Sequence, residues 1–133
     1  MTTTTTLRRR ILAGGLLVSL TLLAVPGASL AKDGDVIRRG DCSGATDWKL
    51  KLSPEDGRIE AEAEIDQNRN GVTWNWTFRR NGTTFAQGSS TTKAPSGSFE
   101  VRRLTANGAG TDSFVFRAVN PRTGEVCRAV ASF

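Results

Sequence analysis

The sequence contains no histidine and no tyrosine, and its only two cysteines are Cys42 and Cys127. Without histidine, the chain lacks both the base of a histidine-dependent acyl-transfer triad and any histidine metal ligand. If the two cysteines pair with each other, no free thiol remains as a nucleophile. These absences leave paired carboxylates as the remaining catalytic option.

Paired carboxylates do occur, because Glu60, Glu62 and Glu64 alternate along one run and share one face of a strand. Glycosidases use two carboxyl groups that stand close together. A flat, solvated stripe lacks the enclosed cleft that drives the pKa values of a catalytic acid and base apart. We therefore predict that these glutamates form a solvated outer face, and that the protein is not an enzyme and binds no metal or cofactor.

The N-terminal residues have the three parts of a signal peptide: a polar segment ending in Arg8-Arg9-Arg10, an apolar stretch over residues 11–25, and small residues up to Ala31. The apolar stretch is shorter than the roughly 20 residues of a membrane-spanning helix, although a retained anchor is the alternative. We predict a signal peptide over residues 1–31 and a secreted, extracellular chain that begins at Lys32. The export route, general secretory or twin-arginine, stays open.

The excess of basic residues is largely confined to this leader. The chain has 18 Lys and Arg against 13 Asp and Glu, and removal of the three leader arginines leaves 15 against 13. A net charge of +2 gives little support to binding of nucleic acid or acidic membranes. We predict no nucleic-acid partner, and no membrane span once the leader is removed.

Residues 32–133 have the length of one small domain, for which additional cross-linking is useful. An isolated cysteine pair in an exported protein is expected to form a disulfide, here between Cys42 and Cys127. The loop that it closes is about 86 residues long, for which the chain-entropy model gives about 4 to 5 kcal/mol of stabilisation.

The rest of the chain consists of short runs in which apolar and polar residues alternate, with no helical periodicity. Glycine, proline and asparagine recur between the runs as turn residues. This pattern predicts an all-β, antiparallel domain. Its seven strands are predicted at residues 46–53, 58–66, 72–80, 83–91, 98–104, 113–120 and 125–133.

Two Asn-Gly dipeptides, Asn70-Gly71 and Asn81-Gly82, stand between alternating runs, and this is a strong hairpin signal. A two-residue turn at each fixes which residues lie opposite each other. The resulting apolar pairs include Ile65 with Trp76, Ala63 with Phe78 and Phe78 with Phe85. These residues then share one inner face of the domain.

Trp74 and Trp76 suggest a platform for sugar binding, because exported β-sandwiches often bind polysaccharides through exposed aromatic rings. Their parity, however, is opposite to that of the glutamate stripe. Turning the indoles outward would bury the glutamates, at a cost of several kcal/mol for each unpaired charge. Both tryptophans are therefore predicted to lie in the core.

Residues 66–71, Asp-Gln-Asn-Arg-Asn-Gly, are similar to the first half of a calcium-binding loop. The complete loop requires a bidentate carboxylate at its twelfth position, where this chain has Thr77, and it is flanked by helices. The segment is predicted to be a turn between strands. A weak surface calcium site that uses Asp66 and the side-chain carbonyl oxygens of Asn68 and Asn70 is the alternative.

Seven short strands in about 100 residues, with a tryptophan on the third, resemble an immunoglobulin-like or fibronectin-type sandwich. The cysteines depart from the immunoglobulin pattern, because Cys42 precedes the first run and Cys127 lies on the last. Three segments carry a closer resemblance: LKLSPEDGRIEAEAEIDQNRNG, APSGSFEVRR and AVNPRTGEVCRA. In these segments the chain resembles small secreted actinobacterial proteins of uncharacterised function. This resemblance implies a disulfide-linked extracellular β domain and supplies no functional residues.

A candidate partner surface lies on the last predicted hairpin, where a four-residue turn at residues 121–124 sets two arginines opposite each other. Glutamates of another strand would neutralise them, or the flanking valines simply reflect strand propensity. The alternative is a surface for an acidic or carboxylate-bearing partner. Its residues are Val115, Arg117, Val119, Val126, Arg128 and Val130.

The sequence therefore predicts a secreted binding or structural module whose partner is an extracellular protein or a component of the cell envelope. The alternative is a proteinaceous inhibitor of an extracellular hydrolase, which would act through exposed loops at residues 107–111 or 120–124. Neither the ligand nor the oligomeric state follows from the sequence.

Overall fold

The computed structural model describes residues 31–133, so that all but the last residue of the predicted signal peptide lies outside the described range. In this range the chain is all-β, as predicted, and it contains no helix that is long and apolar enough to cross a membrane. Its strands are β1 (Val36–Asp41), β2 (Asp47–Glu55), β3 (Arg58–Asp66), β4 (Thr73–Arg80), β5 (Thr83–Thr91), β6 (Ser98–Ala106), β7 (Ser113–Val119) and β8 (Val126–Ser132).

The strands form two four-stranded antiparallel sheets that pack face to face around one core. Sheet A has the order β1-β2-β3-β6, and sheet B has the order β5-β4-β7-β8. The prediction of seven strands was wrong by one, because β1 was not recognised. Its sequence, VIRRGD, shows no alternation and ends in turn residues, so that its conformation depends on pairing with β2.

Two hairpins follow from turns in which both central residues have positive φ, as a type I′ turn requires. Asp56 and Gly57 (φ 48° and 74°) join β2 to β3, and Asn81 and Gly82 (φ 49° and 80°) join β4 to β5. The second hairpin was predicted, but Phe85 is an extra residue in β5, so that Phe78 lies opposite Ala86.

The predicted hairpin at Asn70-Gly71 is wrong. Strand β3 pairs with β2 and β6, whereas β4 pairs with β5 and β7, so this segment crosses from sheet A to sheet B. Positive φ occurs at Asn68 and Gly71 and not at Asn70, which excludes a type I′ turn there. The predicted partners Ile65 and Trp76 therefore belong to different sheets, although both lie in the core.

The parity of the strands was nevertheless predicted correctly, and both tryptophans lie in the core, with Trp74 fully buried and Trp76 3% exposed. Each indole N–H has an acceptor: Trp74 donates to Gln67 Oε1 at 3.1 Å, and Trp76 donates to Ser90 Oγ at 3.0 Å. A buried indole needs such a partner, so these two bonds fix the orientation of the rings.

The predicted disulfide between Cys42 and Cys127 is present. Cys42 directly follows β1 of sheet A, and Cys127 lies on β8 of sheet B, so the bond joins the two sheets. The neighbouring Ser43 strengthens this connection, because its N–H donates to Val126 O at 2.8 Å and its hydroxyl accepts from Val126 N–H at 2.9 Å.

Candidate functional site

Acidic residues are confined to one of the two sheets and to loops. The four strands of sheet B contain no aspartate or glutamate, whereas those of sheet A contain eight. Sheet B carries the arginines Arg79, Arg80, Arg117 and Arg128. Of the alternatives that the sequence left open, neutralisation of Arg117 and Arg128 by glutamates of a neighbouring strand does not occur, since no strand of their sheet has a glutamate.

The last hairpin has the predicted register. Val119 lies opposite Val126, Arg117 opposite Arg128, and Val115 opposite Val130. The other face of β7 and β8 is buried. This burial fixes which residues of the two strands point outward. The predicted candidate surface is thus a real, continuous outer surface of β7 and β8.

Strand β4 extends this surface on its other side. Thr77 is the partner of Arg117, and Arg79 is the partner of Val115, so a third arginine lies diagonally from Arg117. We call the outer surface of sheet B the arginine face. Its central residues are Thr77, Arg79, Val115, Arg117, Val119, Val126, Arg128 and Val130.

Two shallow depressions lie on this face, and Arg117 contributes to both. One, of about 440 Å³, is lined by Thr77, Arg79, Gly82, Val115, Arg117 and Arg128. The other, of about 380 Å³, continues over β4 and β5 toward Asn75 and Gln87. Arg117 and Arg128 are exposed, while Val115 and Val119, on the same outer face of β7 as Arg117, are half-buried.

The guanidinium groups of this face have few partners of their own. Arg79 Nε donates to Thr84 Oγ1 at 3.3 Å. Within residues 31–133, Arg117 and Arg128 take part in no side-chain hydrogen bond and no salt bridge. Their positive charges lie directly opposite each other and therefore repel. Free, adjacent guanidiniums can each donate two parallel bonds to a carboxylate.

Arg80 shows the contrast, since it points to the other side of β4. Its Nη2 lies 2.9 Å from Asp112 Oδ1 in a salt bridge. Because side chains alternate along β4, consecutive Arg79 and Arg80 lie on its two opposite faces. Sequence reasoning missed Arg79 as a member of the site, because nothing in the sequence indicates that β4 lies beside β7.

The glutamate stripe of β3 lies on the outer face of sheet A, but the prediction that it is solvated is wrong for Glu62, which is only 1% exposed. Lys49 Nζ lies 3.5 Å from Glu62 Oε1, and Arg102 Nε lies 3.2 Å from Glu62 Oε2. The same cations lie nearer to Glu64, at 2.7 Å, and Glu100, at 2.8 Å.

Electrostatic contacts within this network shift the pKa values of Glu100 and Lys49. Partial burial and the negative charge of Glu62 raise the pKa of Glu100, against the opposing effect of Arg102. Burial lowers the pKa of Lys49, but its carboxylate partners Glu64 and Glu62 outweigh that effect and raise it. Both oxygens of Glu62 are enclosed by the neighbouring side chains. Lys49 and Arg102 therefore balance the charge of this enclosed carboxylate.

Residues 66–71 form a crossing turn that is held by hydrogen bonds. Asp66 Oδ1 accepts from Asn68 N–H at 3.2 Å, and Gly71 N–H donates to Thr92 O at 2.8 Å. Among the described residues, no group of three or more His, Cys, Asp or Glu side chains is arranged to hold a metal ion.

The two loops considered for an inhibitor lie at opposite ends of β7. The loop at residues 107–111 precedes β7 and is anchored by Asp112, whose carboxylate accepts from Gly108 N–H at 3.0 Å and from Asn81 Nδ2 at 2.8 Å. The turn at residues 120–124 follows β7, and Asn120 Oδ1 accepts from Arg122 N–H at 3.0 Å. They therefore do not form a common binding edge.

Comparison of the chain with family models, with curated proteins and with solved structures found no match. The site is therefore argued from its own residues.

Proposed function

We propose that this chain is a secreted, non-enzymatic binding module that uses the arginine face of an immunoglobulin-like sandwich to bind an acidic protein surface. The observation that carries the proposal is the pairing of Arg117 with Arg128 in a sheet whose strands contain no carboxylate. Such a pair costs stability in the free domain, and a carboxylate-bearing partner removes that cost.

Support for the immunoglobulin-like assignment comes from the order of the strands. In that fold, strands A, B and E share one sheet, while C, F and G share the other, which C′ extends. Strands β2, β3 and β6 correspond to A, B and E, and β5, β4, β7 and β8 correspond to C′, C, F and G. Strand β1 is then an addition beside A.

Support for export comes from two sources. The disulfide between Cys42 and Cys127 is the kind of bond that persists in oxidising compartments. The order of basic, apolar and small residues at the N-terminus predicts a cleaved leader. A binding role outside the cell also agrees with a domain that presents a broad, open face rather than an enclosed cavity.

The face offers both polar and apolar contacts. An exposed arginine–carboxylate pair contributes about 0.2 to 1 kcal/mol, so charge alone gives weak and salt-sensitive binding. The valines that alternate with the arginines add apolar area to be covered, and Val130 is 41% exposed. The partner is therefore expected to carry carboxylates spaced by apolar residues.

The test is capture of poly-L-glutamate by the immobilised, oxidised chain from Lys32 to Phe133, which contains all eight strands. The double variant Arg117→Ala/Arg128→Ala is compared with the charge-matched Arg38→Ala/Arg69→Ala, which removes two exposed arginines outside sheet B. Dextran serves as the uncharged probe.

We expect the wild type and the matched control to retain poly-L-glutamate at low salt, while Arg117→Ala/Arg128→Ala loses at least most of the retained probe and dextran passes through. Equal losses in the two double variants would show that net charge alone drives the binding. That result, or no capture by the wild type, would falsify the proposed role of the arginine face.

A further inference from the structure

The outer surface of sheet A is the electrostatic opposite of the arginine face. Alternation and cross-strand pairing place all eight carboxylates of the sheet's strands on the same face as Lys49 and Lys51, which is the outer side. Five basic residues lie on this side with them. We call it the carboxylate face. Its acidic residues are Asp41, Asp47, Glu55, Glu60, Glu62, Glu64, Asp66 and Glu100, and its basic residues are Arg39, Lys49, Lys51, Arg58 and Arg102.

The formal charges of the two faces are equal and opposite. Eight acidic and five basic residues give the carboxylate face a charge of −3, and Arg79, Arg117 and Arg128 give the arginine face +3. Because the two sheets enclose the core between them, the two faces lie on opposite sides of the molecule.

Each face contains a row of like charges. Asp47 lies directly between Asp41 and Asp66, its partners on β1 and β3, and none of the three takes part in a salt bridge with a described residue. The row of Arg117 and Arg128 has the same character on sheet B.

The spacing of the two rows also matches, since both are set by the distance between neighbouring strands, about 4.8 Å. Carboxylates at this repeat can each meet one guanidinium of an opposing row.

We propose that the partner of the arginine face is a second copy of this chain, which docks through its carboxylate face. This inference rests on the proposed function, because it names the occupant of the same surface. The contact joins two different faces, so it is heterologous, and each copy keeps one face free for the next. The copies therefore associate head to tail into stacks.

The size of the faces predicts a reversible contact. Four strands about 4.8 Å apart and seven residues long at about 3.3 Å per residue give a face of roughly 450 Å². Stable complexes bury about 800 Å² per partner. Association is therefore expected to require high protein concentration and to weaken as salt screens the charges.

Sedimentation velocity of the oxidised chain from Lys32 to Phe133 tests this proposal. The wild type is compared at ionic strengths of about 10 mM and about 1 M, between which the Debye length falls from about 30 Å to about 3 Å. Two charge-reversed variants each disable one face: Arg117→Glu/Arg128→Glu on sheet B, and Asp47→Lys/Asp66→Lys on sheet A. Arg38→Glu/Arg69→Glu is the control outside both rows.

We expect the wild type and the control to form a series of oligomers at low ionic strength that dissociate at high ionic strength, and each face variant alone to be monomeric. An equimolar mixture of the two face variants should associate again, because the intact carboxylate face of one variant meets the intact arginine face of the other, and the two reversed faces are also opposite in charge. This restored association also shows that both variants are folded.

Two results would overturn the proposal: a wild type that is monomeric at low ionic strength, or a mixture of the face variants that contains only monomers. Poly-L-glutamate capture separates this failure from that of the proposed function. A monomeric wild type that still captures the probe through Arg117 and Arg128 leaves the acidic-partner proposal intact, whereas loss of both removes both proposals.

Discussion

At the scale of single residues, Glu62 shows how a charge becomes buried on the outside of a sheet. Lys49 and Arg102 extend from the neighbouring strands β2 and β6, and their charged nitrogens lie 3.5 Å and 3.2 Å from the oxygens of Glu62. Alternation correctly assigned Glu62 to the outer face. It could not predict the burial, because Arg102 is contributed by a strand about 40 residues further along the chain.

Asp112 is predicted to make stability depend on pH. The backbone N–H of Gly108, with the Asn81 amide and the Arg80 guanidinium, holds the pKa of this buried carboxyl below its ordinary value of 3.8, against the effect of burial. The group therefore contributes stability above its unfolded pKa, and this contribution is lost as pH falls through the lower folded pKa.

Asp112→Asn should accordingly lower the free energy of unfolding near neutral pH, and the difference from wild type should shrink on acidification through the region below 3.8. Urea unfolding followed by tryptophan fluorescence at a series of pH values measures this. The exposed Asp33→Asn is the control. A difference that stays constant down to the lowest pH would contradict the charge-based explanation.

Any side chain at Gly97 is predicted to lower the stability of the fold, for two separable reasons. Its φ is +72°, and a Cβ at this position would lie 2.2 Å from the backbone nitrogen of Arg69 in the segment that crosses between the sheets. Gly57 has a similar φ of +74°, but a Cβ there meets nothing within 4 Å.

The pair Gly97→Ala and Gly57→Ala therefore separates backbone strain from collision. We expect Gly57→Ala to lose about 1 to 2 kcal/mol of unfolding free energy, the cost of a left-handed non-glycine residue. Gly97→Ala should lose about 1 to 3 kcal/mol more, because the crossing segment must move. Chemical denaturation gives both values, and equal losses would show that the contact with Arg69 is relieved without cost.

At the scale of strands and turns, the same dipeptide has two outcomes. Asn81-Gly82 forms a hairpin with positive φ at both residues, whereas Asn70-Gly71 belongs to a crossing between sheets. Local turn chemistry permits a hairpin but does not require one. The choice is made by β6, which occupies the free edge of β3 that a β3–β4 hairpin would use. Sequence parity therefore predicted the faces of these strands correctly but not their partners.

The pairing of β7 with β8 carries a stability prediction. Arg117→Ala/Arg128→Ala should raise the melting temperature of the free domain, because it removes a repulsive cross-strand pair worth about 0.2 to 1 kcal/mol. Calorimetry at low and high salt measures the change, which should be larger at low salt. Arg38→Ala/Arg69→Ala is the control. A lower melting temperature would show that the arginine stems stabilise the sheet more than their charges destabilise it.

At the scale of the whole molecule, the disulfide is predicted to be a major source of stability. Cys42 and Cys127 are 85 positions apart, and the chain-entropy model for such a loop gives about 4 to 5 kcal/mol. Cys42→Ala/Cys127→Ala should therefore lower the free energy of unfolding by about 2 to 5 kcal/mol. Urea titration of the double variant and of the wild type under reducing and oxidising conditions measures this. A loss below about 1 kcal/mol would contradict it.

The separation of charge between the two sheets could not be predicted from the sequence. Net charge sums over the chain and gave no indication of two faces of −3 and +3. Alternation did identify the residues of β7 and β8 that point outward, including Arg117 and Arg128. Alternation could not predict the order of the strands. That order places the glutamates of β3 in the other sheet and places Arg79 of β4 beside the strand that carries Arg117.

The position of the disulfide also determines how the domain responds to pulling. A force applied to the two ends of the described chain passes through Cys42 and Cys127, so that residues 43–126 carry no load while the bond is intact. Only residues 31–41 and 128–133 can be drawn out, about 17 residues or about 60 Å of extended chain. Strands β2 to β7 lie outside the load path. Under tension, the oxidised domain is therefore expected to extend only at its two terminal segments, while these strands stay folded.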